Sequence, residues 1–255
     1  MIHPSAIIDP KAQLGADVEV GPFCVIGPDV TLGNGCQLQN NVTICGMSSI
    51  GPNNKFYTGC SVGQQTQDLK YAGEPTYLEV GTGNTFREYC TIHRATTAGD
   101  TTKIGSHGNF LAYAHIAHDC VVGNHVIFSN NATLAGHVTI DDHAIIGGLT
   151  AIHQFCRIGR HAMTGGCSKI VQDVPPFMVA DGNPAVVRTV NVIGLERHGF
   201  PAESVRHIKE AYRIFYRSKL NSAQALERIK AELGEHKEVA LLIHFFENST
   251  RGITK

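Results

Sequence analysis

The sequence predicts an all-β solenoid of six-residue repeats followed by a C-terminal α-helical domain. Two observations predict it. An apolar residue recurs at every sixth position over most of the chain, and that period stops after Pro175-Pro176, where helical spacing takes over. Counted by six from Ile2 to Ile170, 25 of 29 positions hold Ile, Leu, Val or Phe; the exceptions are Asp68, Glu74, Ala98 and Thr164. A fixed period of this kind decides the architecture, because one repeat can bury its apolar face only against its neighbours.

Each repeat supplies one short strand and one corner. Glycine often follows the apolar residue, as at Gly21, Gly51, Gly105 and Gly147, and glycine tolerates the positive φ of a tight corner. Four residues after the apolar position stands a second, small or β-branched residue, such as Ala12, Val18, Ala132 or Ala144. Six of the eight cysteines (24, 36, 60, 90, 120 and 156) share that inward phase. A free thiol there is a small apolar filler and not a nucleophile. Three strands would complete a coil of about 18 residues, with successive coils ~4.8 Å apart. Two polar excursions, 64–77 and 95–103, interrupt the period; loops on a rigid scaffold commonly carry function.

The tail begins after Gly182-Asn183-Pro184-Ala185, which reads as a turn. Helices are expected over 189–198, 201–219, 222–233 and 238–248, with Gly199, Pro201, Ser222 and Gly234 as boundary signals. The expected division is a repeat domain over 1–186 and a helical domain over 187–255.

Composition narrows the function classes. The net charge of −1 gives no reason to expect nucleic acid or an anionic membrane as partner. No stretch approaches the ~18 apolar residues of a membrane span. The N-terminus lacks the basic and apolar regions of a signal peptide, and the cysteines form no CxxC pair. A reduced, cytoplasmic chain is expected. Residues 186–220 hold seven Lys or Arg against three acids, whereas 1–185 carry a net −5. Arg206, Lys209, Arg213 and Arg217 are therefore candidates for docking an acidic protein.

Nine of the fourteen histidines lie between 93 and 161, and two groupings compete for attention. His107, His125, His143 and His161 are each 18 apart, so they should form an exposed ladder along one corner; a metal site there is conceivable because His is a common ligand. The second grouping is His115-Ile-Ala-His118-Asp119 with Gly136-His137 and His153-Gln154. At a step of 18, Gly136 falls over His118, Gln154 over Gly136, and His137 over Asp119. Polar groups of three consecutive coils thus converge beside one edge, as a His general base with supporting groups would.

Specific strings carry a resemblance. His-Ile-Ala-His-Asp-Cys (115–120), Asn-Asn-Ala-Thr-Leu-Ala-Gly-His (130–137), Ala-Ile-His-Gln-Phe-Cys (151–156), Gln-Asp-Leu-Lys-Tyr-Ala-Gly-Glu-Pro-Thr (67–76), Thr-Ile-His-Arg (91–94) and Gly-Gly-Cys-Ser (165–168) together resemble the UDP-N-acetylglucosamine O-acyltransferase family. The likeness runs essentially end to end, through Ser-Thr-Arg-Gly (249–252). It implies a left-handed parallel β-helix of triangular section, an exception to the usual right-handed crossover, and a cytoplasmic homotrimer. It also implies transfer of a 3-hydroxyacyl group from acyl carrier protein to the 3-hydroxyl of UDP-N-acetylglucosamine, the first step of lipid A biosynthesis.

The resemblance assigns roles residue by residue. His118 would be the base, Asp119 its orienter, and the Gly136 N–H the oxyanion donor. Gln67, Asp68, Lys70, His115, His137 and Gln154 would grip the sugar nucleotide and the reacting groups. His153, Asn191 and Arg197 would meet the nucleotide, the neighbouring subunit contributing. Met163 and Gly166 would set acyl length. No metal and no cofactor are implied beyond the carrier's phosphopantetheine. One departure is visible: where the family commonly has Asn-x-Glu, this chain has Asn191-Val192-Ile193. Competing readings are the later N-acyltransferase of the pathway, a zinc lyase of the γ-carbonic anhydrase type and a non-catalytic scaffold. The first usually has an extra N-terminal domain, the second needs converging metal ligands, and the third leaves the polar convergence unexplained.

Overall fold

The computed structural model describes residues 1–255. The repeats form a left-handed parallel β-helix: three sheets of nine, eight and ten strands, each built from every third strand of the chain apart from the two that close the ten-stranded sheet. Within one sheet Ile7 pairs with Val25 and Val25 with Thr43, so a coil is 18 residues. Across the first excursion the step widens to 30, Val62 pairing with Ile92, and across the second to 24, Ile92 pairing with Ile116. The two inserts are therefore 12 and 6 residues long. Both are multiples of six, which is why the count from Ile2 survives them.

The inward column is continuous. Phe56, Phe86, Phe110 and Phe128 stack at 4.7–5.1 Å between ring centroids and are fully buried. The six inward-phase cysteines are all buried, as a filler role requires. Thr164 breaks the apolar series without disturbing the surface: it is buried, and its hydroxyl accepts the Gly147 N–H at 2.9 Å.

The corner glycines do a different job from the expected one. Where the backbone turns left-handed at a corner it does so mostly three residues beyond the apolar position, as at Asp17, Asn53, Tyr113, Asp119, Asn131 and His137, with φ between +57° and +64°. Most of the glycines directly after the apolar residue have ordinary φ. They are small because coils stack closely: a Cβ on Gly21 would stand 2.6 Å from the Gln39 carbonyl oxygen, and one on Gly51 2.6 Å from that of Gly81.

A hairpin of Met178–Gly182 and Ala185–Val190 extends the ten-stranded sheet. Helices α1 (Val192–Arg197), α2 (Ala202–Tyr212), α3 (Ser222–Leu233) and α4 (Lys237–Glu247) follow, with a π-helical turn, Arg213–Arg217, after α2. Asn221 and Gln224 form a reciprocal capping box at α3. The helices close the end of the coil. Arg157 lies over the Phe245 ring at 4.8 Å, and the buried Asp173 carboxylate accepts the Arg157 N–H and the Ser249 hydroxyl, each at 2.7 Å. No helix is long and apolar enough to cross a membrane.

Candidate active site

An open cleft of about 850 Å³ lies on the outer face of the nine-stranded sheet. Strand residues His115, Thr133, Ala151 and Lys169 floor it, one from each of four successive coils. The loop between Ser61–Gln64 and Tyr77–Val80 covers one side with Gln67, Asp68, Leu69 and Lys70. His118, His153 and Gln154 complete the lining.

His118 stands at the corner. Its Nδ1 is 2.7 Å from Asp119 Oδ2, and the two side chains are 13% and 7% exposed. A carboxylate only accepts, so in the neutral imidazole Nδ1 is the nitrogen that carries the proton and Nε2 is the one with the lone pair. Asp119 is itself held: the Thr96 N–H donates to Oδ1 at 3.3 Å, and the Asp119 N–H donates to the Thr102 hydroxyl at 2.8 Å. Gly136 lies directly against the His118 ring, so close that a Cβ there would overlap it. Its corner N–H has no acceptor within the chain.

The second loop ties these parts together. Thr96 donates its hydroxyl to the Thr66 hydroxyl at 2.8 Å, and Thr66 accepts the Asp68 N–H at 3.0 Å. Arg94 donates to the Gly63 carbonyl at 2.6 Å and reaches the Tyr71 hydroxyl at 3.4 Å. Residues from both excursions therefore brace the base and the loop that faces it.

Two further histidines share the cleft. His115 Nδ1 is 2.7 Å from the Thr91 hydroxyl, and its ring meets that of His93 edge-on at 5.0 Å. Burial, then the neighbouring His115, His118 and Arg94 charges, pushes His93 down to about 4. Burial and His118 also lower His115. Both therefore stay neutral where an unfolded histidine, at ~6.5, begins to charge. The unfolded chain then binds more protons, so this contribution to stability is full above ~6.5 and is lost as pH falls towards 4. Chemical denaturation at pH 7.5, 6.5, 5.5 and 4.5 should show the decline starting near 6.5. His93→Gln should retain more of its pH 7.5 stability at pH 5 than the parent; equal slopes would dismiss the His93 contribution.

The remaining expected residues are placed as follows. His137 faces away from the cleft, 3.6 Å from the same Asp119 Oδ2 and stacked on Phe155 at 4.7 Å. It lines a neighbouring cavity with Asp100 and Lys103, because its left-handed φ turns it round the corner. Asn191 is buried outside the cleft. Its amide donates to the His161 carbonyl at 3.0 Å and its oxygen accepts the Gly194 N–H as the cap of α1. Arg197 is exposed in the last turn of α1, and Ile193 is 64% exposed on the same helix. Met163 points outward from the ten-stranded sheet, and Gly166 is exposed at the corner leading to the cleft face. Of the basic candidates on the tail, Arg206 and Arg213 pair with Glu203 and Glu210 one turn earlier, and Arg217 bonds the Tyr212 hydroxyl. Exposed pairs of this kind contribute little to stability.

The ladder differs from the exposed one expected. His107 and His125 are exposed, but His143 is half-buried and His161 only 6% exposed, because α1 and the residues after it fold over that end. A uniform step of 18 does not reveal His93 or Thr96. The step is 24 across the second excursion, from Ile92 to Ile116, and returns to 18 beyond it, from Lys103 to Val121; Asp119 lies between the two, bonded to Thr96 and to Thr102.

Comparisons with known proteins place these features among relatives. A family model described as Udp N-acetylglucosamine O-acyltransferase, Domain 2, matches residues 173–254, and one described as bacterial transferase hexapeptide (six repeats) matches 11–46. The acyl-[acyl-carrier-protein]–UDP-N-acetylglucosamine O-acyltransferase of Thermodesulfovibrio yellowstonii is 49% identical over 100% of this chain and 99% of its own. Among solved structures, LpxA from Acinetobacter baumannii is 47% identical with a TM-score of 0.96, covering 100% of this chain and 99% of that one. The UDP-N-acetylglucosamine O-acyltransferase of Moraxella catarrhalis is 41% identical with a TM-score of 0.95 and the same coverage.

Proposed function

The chain belongs to the UDP-N-acetylglucosamine O-acyltransferase family, and on that premise we propose that it transfers a 3-hydroxyacyl group from acyl carrier protein to the 3-hydroxyl of UDP-N-acetylglucosamine, opening lipid A biosynthesis in the cytoplasm. The observation that carries the mechanism is the His118–Asp119 pair packed on Gly136 at the edge of the cleft. His118 Nε2 takes the proton of the sugar hydroxyl as its oxygen attacks the thioester carbonyl carbon. The Gly136 N–H donates to the developing oxyanion. The C–S bond then breaks, and the imidazolium returns its proton to the departing phosphopantetheine thiolate. Asp119 orients the ring and stabilises its cation. Gln67, Asp68, Lys70, His115, His153 and Gln154 hold the sugar nucleotide. The chemistry needs no metal and no cofactor beyond the group the carrier brings. Mass analysis of product from UDP-N-acetylglucosamine and a panel of acyl-carrier thioesters tests the assignment; hydrolysis of donor without acylated sugar nucleotide would reject it.

The active form is a homotrimer. The cleft is walled by one chain on a flat solenoid face. Leu69 at the loop tip is fully exposed, and Tyr113 and Leu149 on the adjoining corner are 55% and 62% exposed. A neighbour packed by cyclic symmetry covers these groups and closes the cleft, and it brings Arg197 and Asn191's helix to the nucleotide, with His137 supporting Asp119 from behind. Sedimentation should give one trimeric species; an active monomer would remove this arrangement.

Met163 and Gly166 limit acyl length along the groove between subunits. A Cβ on Gly166 meets only the Gly148 carbonyl oxygen, at 3.4 Å, so a larger side chain projects into that groove without disturbing the coil. Each buried CH₂ contributes ~0.8 kcal/mol, so two carbons favour the longer donor by about tenfold. Gly166→Met should shift preference to shorter donors with the base intact. An unchanged donor ranking would move the limit elsewhere, with Met163 the next residue to test.

A further inference from the structure

We propose that His143, His161 and His198 form a binding site for a divalent transition metal of the imidazole-preferring class, such as Zn²⁺ or Co²⁺. The ligand atoms of all three lie within 4.8 Å of one another. His143 and His161 are the last two rungs of the corner ladder, stacked at 4.6 Å and 1°. The ring of His198, just past α1, stands across both, at 4.9 Å and 66° from one and 4.8 Å and 67° from the other. The site is on a different corner from His118.

The two outer rungs, His107 and His125, show the ordinary condition of such a ladder, with their rings in solvent. The inner two differ. Nδ1 of His143 and Nδ1 of His161 are buried, and neither has a hydrogen-bond partner. Burying an imidazole nitrogen with nothing to bond loses its hydration without return, and a coordinated ion is a group that would supply that return. Burial, followed by the neighbouring histidine charges, lowers both pKa values, His161 to about 4. The rings are thus neutral near pH 7, as ligands must be.

The surroundings suit a clamp. Asp142 is engaged by Arg160 at 2.9 Å and by Asn124, so it does not supply a fourth ligand, which falls to water. Phe200 packs edge-on to His161 at 5.0 Å and limits solvent on that side. Zinc–nitrogen bonds of ~2.0–2.1 Å in tetrahedral geometry set nitrogens about 3.4 Å apart. The two stacked rings, 4.6 Å apart, must therefore tilt together so that their ligand nitrogens close by roughly an ångström, and the exposed His198 must swing in. The ion would tie the last coils to the start of the helical tail, beside the Asn191 bond to the His161 carbonyl.

The experiment uses tag-free full-length protein, stripped with chelator and titrated with Co²⁺ by absorbance and with Zn²⁺ by calorimetry. One ion per chain should bind, with Co²⁺ visible bands of tetrahedral intensity and a raised thermal midpoint. His198→Ala, a change at an exposed position, should weaken binding at least tenfold, and His143→Gln should do the same. Acyl transfer should survive chelation in the parent. Absence of stoichiometric binding overturns the proposal. So does binding unchanged in His198→Ala, which would assign the ion to His118, Asp119 and His137.

Discussion

His118→Ala should lose at least ~10²-fold in kcat and keep its fold, since positioned general bases contribute about that much or more. The side chain lies on the outer corner, beneath no core residue, and its removal leaves Asp119 still bonded to Thr96 and Thr102. Circular dichroism and the thermal midpoint should therefore match the parent. The sugar-nucleotide KM should move much less than kcat, because the cleft floor and the 64–77 loop are untouched. The other cleft histidines are poor substitutes. His93 is driven to about 4 by burial, and His115 is lowered by the same cause and engaged with the Thr91 hydroxyl. A base so weak takes little of the proton from a sugar hydroxyl in the transition state. Near-normal turnover in His118→Ala would sink the mechanism and leave the family assignment standing.

Much of the fold was legible because its signal is periodic and its interruptions are whole repeats. Inserts of 12 and 6 residues kept Ile104 and Ile170 in the phase begun at Ile2, so the sheets could be anticipated across both loops. The same arithmetic hid what the loops do. Thr96 supports Asp119 from within the insert, where the step is 24 rather than 18, and Thr102 from the strand just past it, where the step is 18 again; no local pattern marks either. The glycine rule was right in position and wrong in cause, since close stacking rather than positive φ demands Gly21 or Gly51. The helices of the tail were found within a few residues, yet their placement was not. Nothing in the spacing says that His198 and Phe200 fold back on His161, or that Asn191 spends its side chain capping α1. Contacts between elements of different period leave no trace in either period.

Gly136→Ala should be nearly as damaging to turnover as loss of His118 itself, about 10²-fold in kcat, although it adds a single methyl group. Gly136 has an ordinary φ, so alanine fits its backbone and the coil should fold. The methyl has no free space: it would overlap Cε1 of His118 and stand 2.5 Å from Nε2. The imidazole must rotate away, which breaks the 2.7 Å bond to Asp119 and takes Nε2 off the line to the acceptor hydroxyl. Displacements near 1 Å of a reacting group can cost about 10²-fold. If Gly136→Ala turns over normally, the packing of Gly136 on His118 has no part in the chemistry, and the oxyanion donor must be sought at another corner of the cleft.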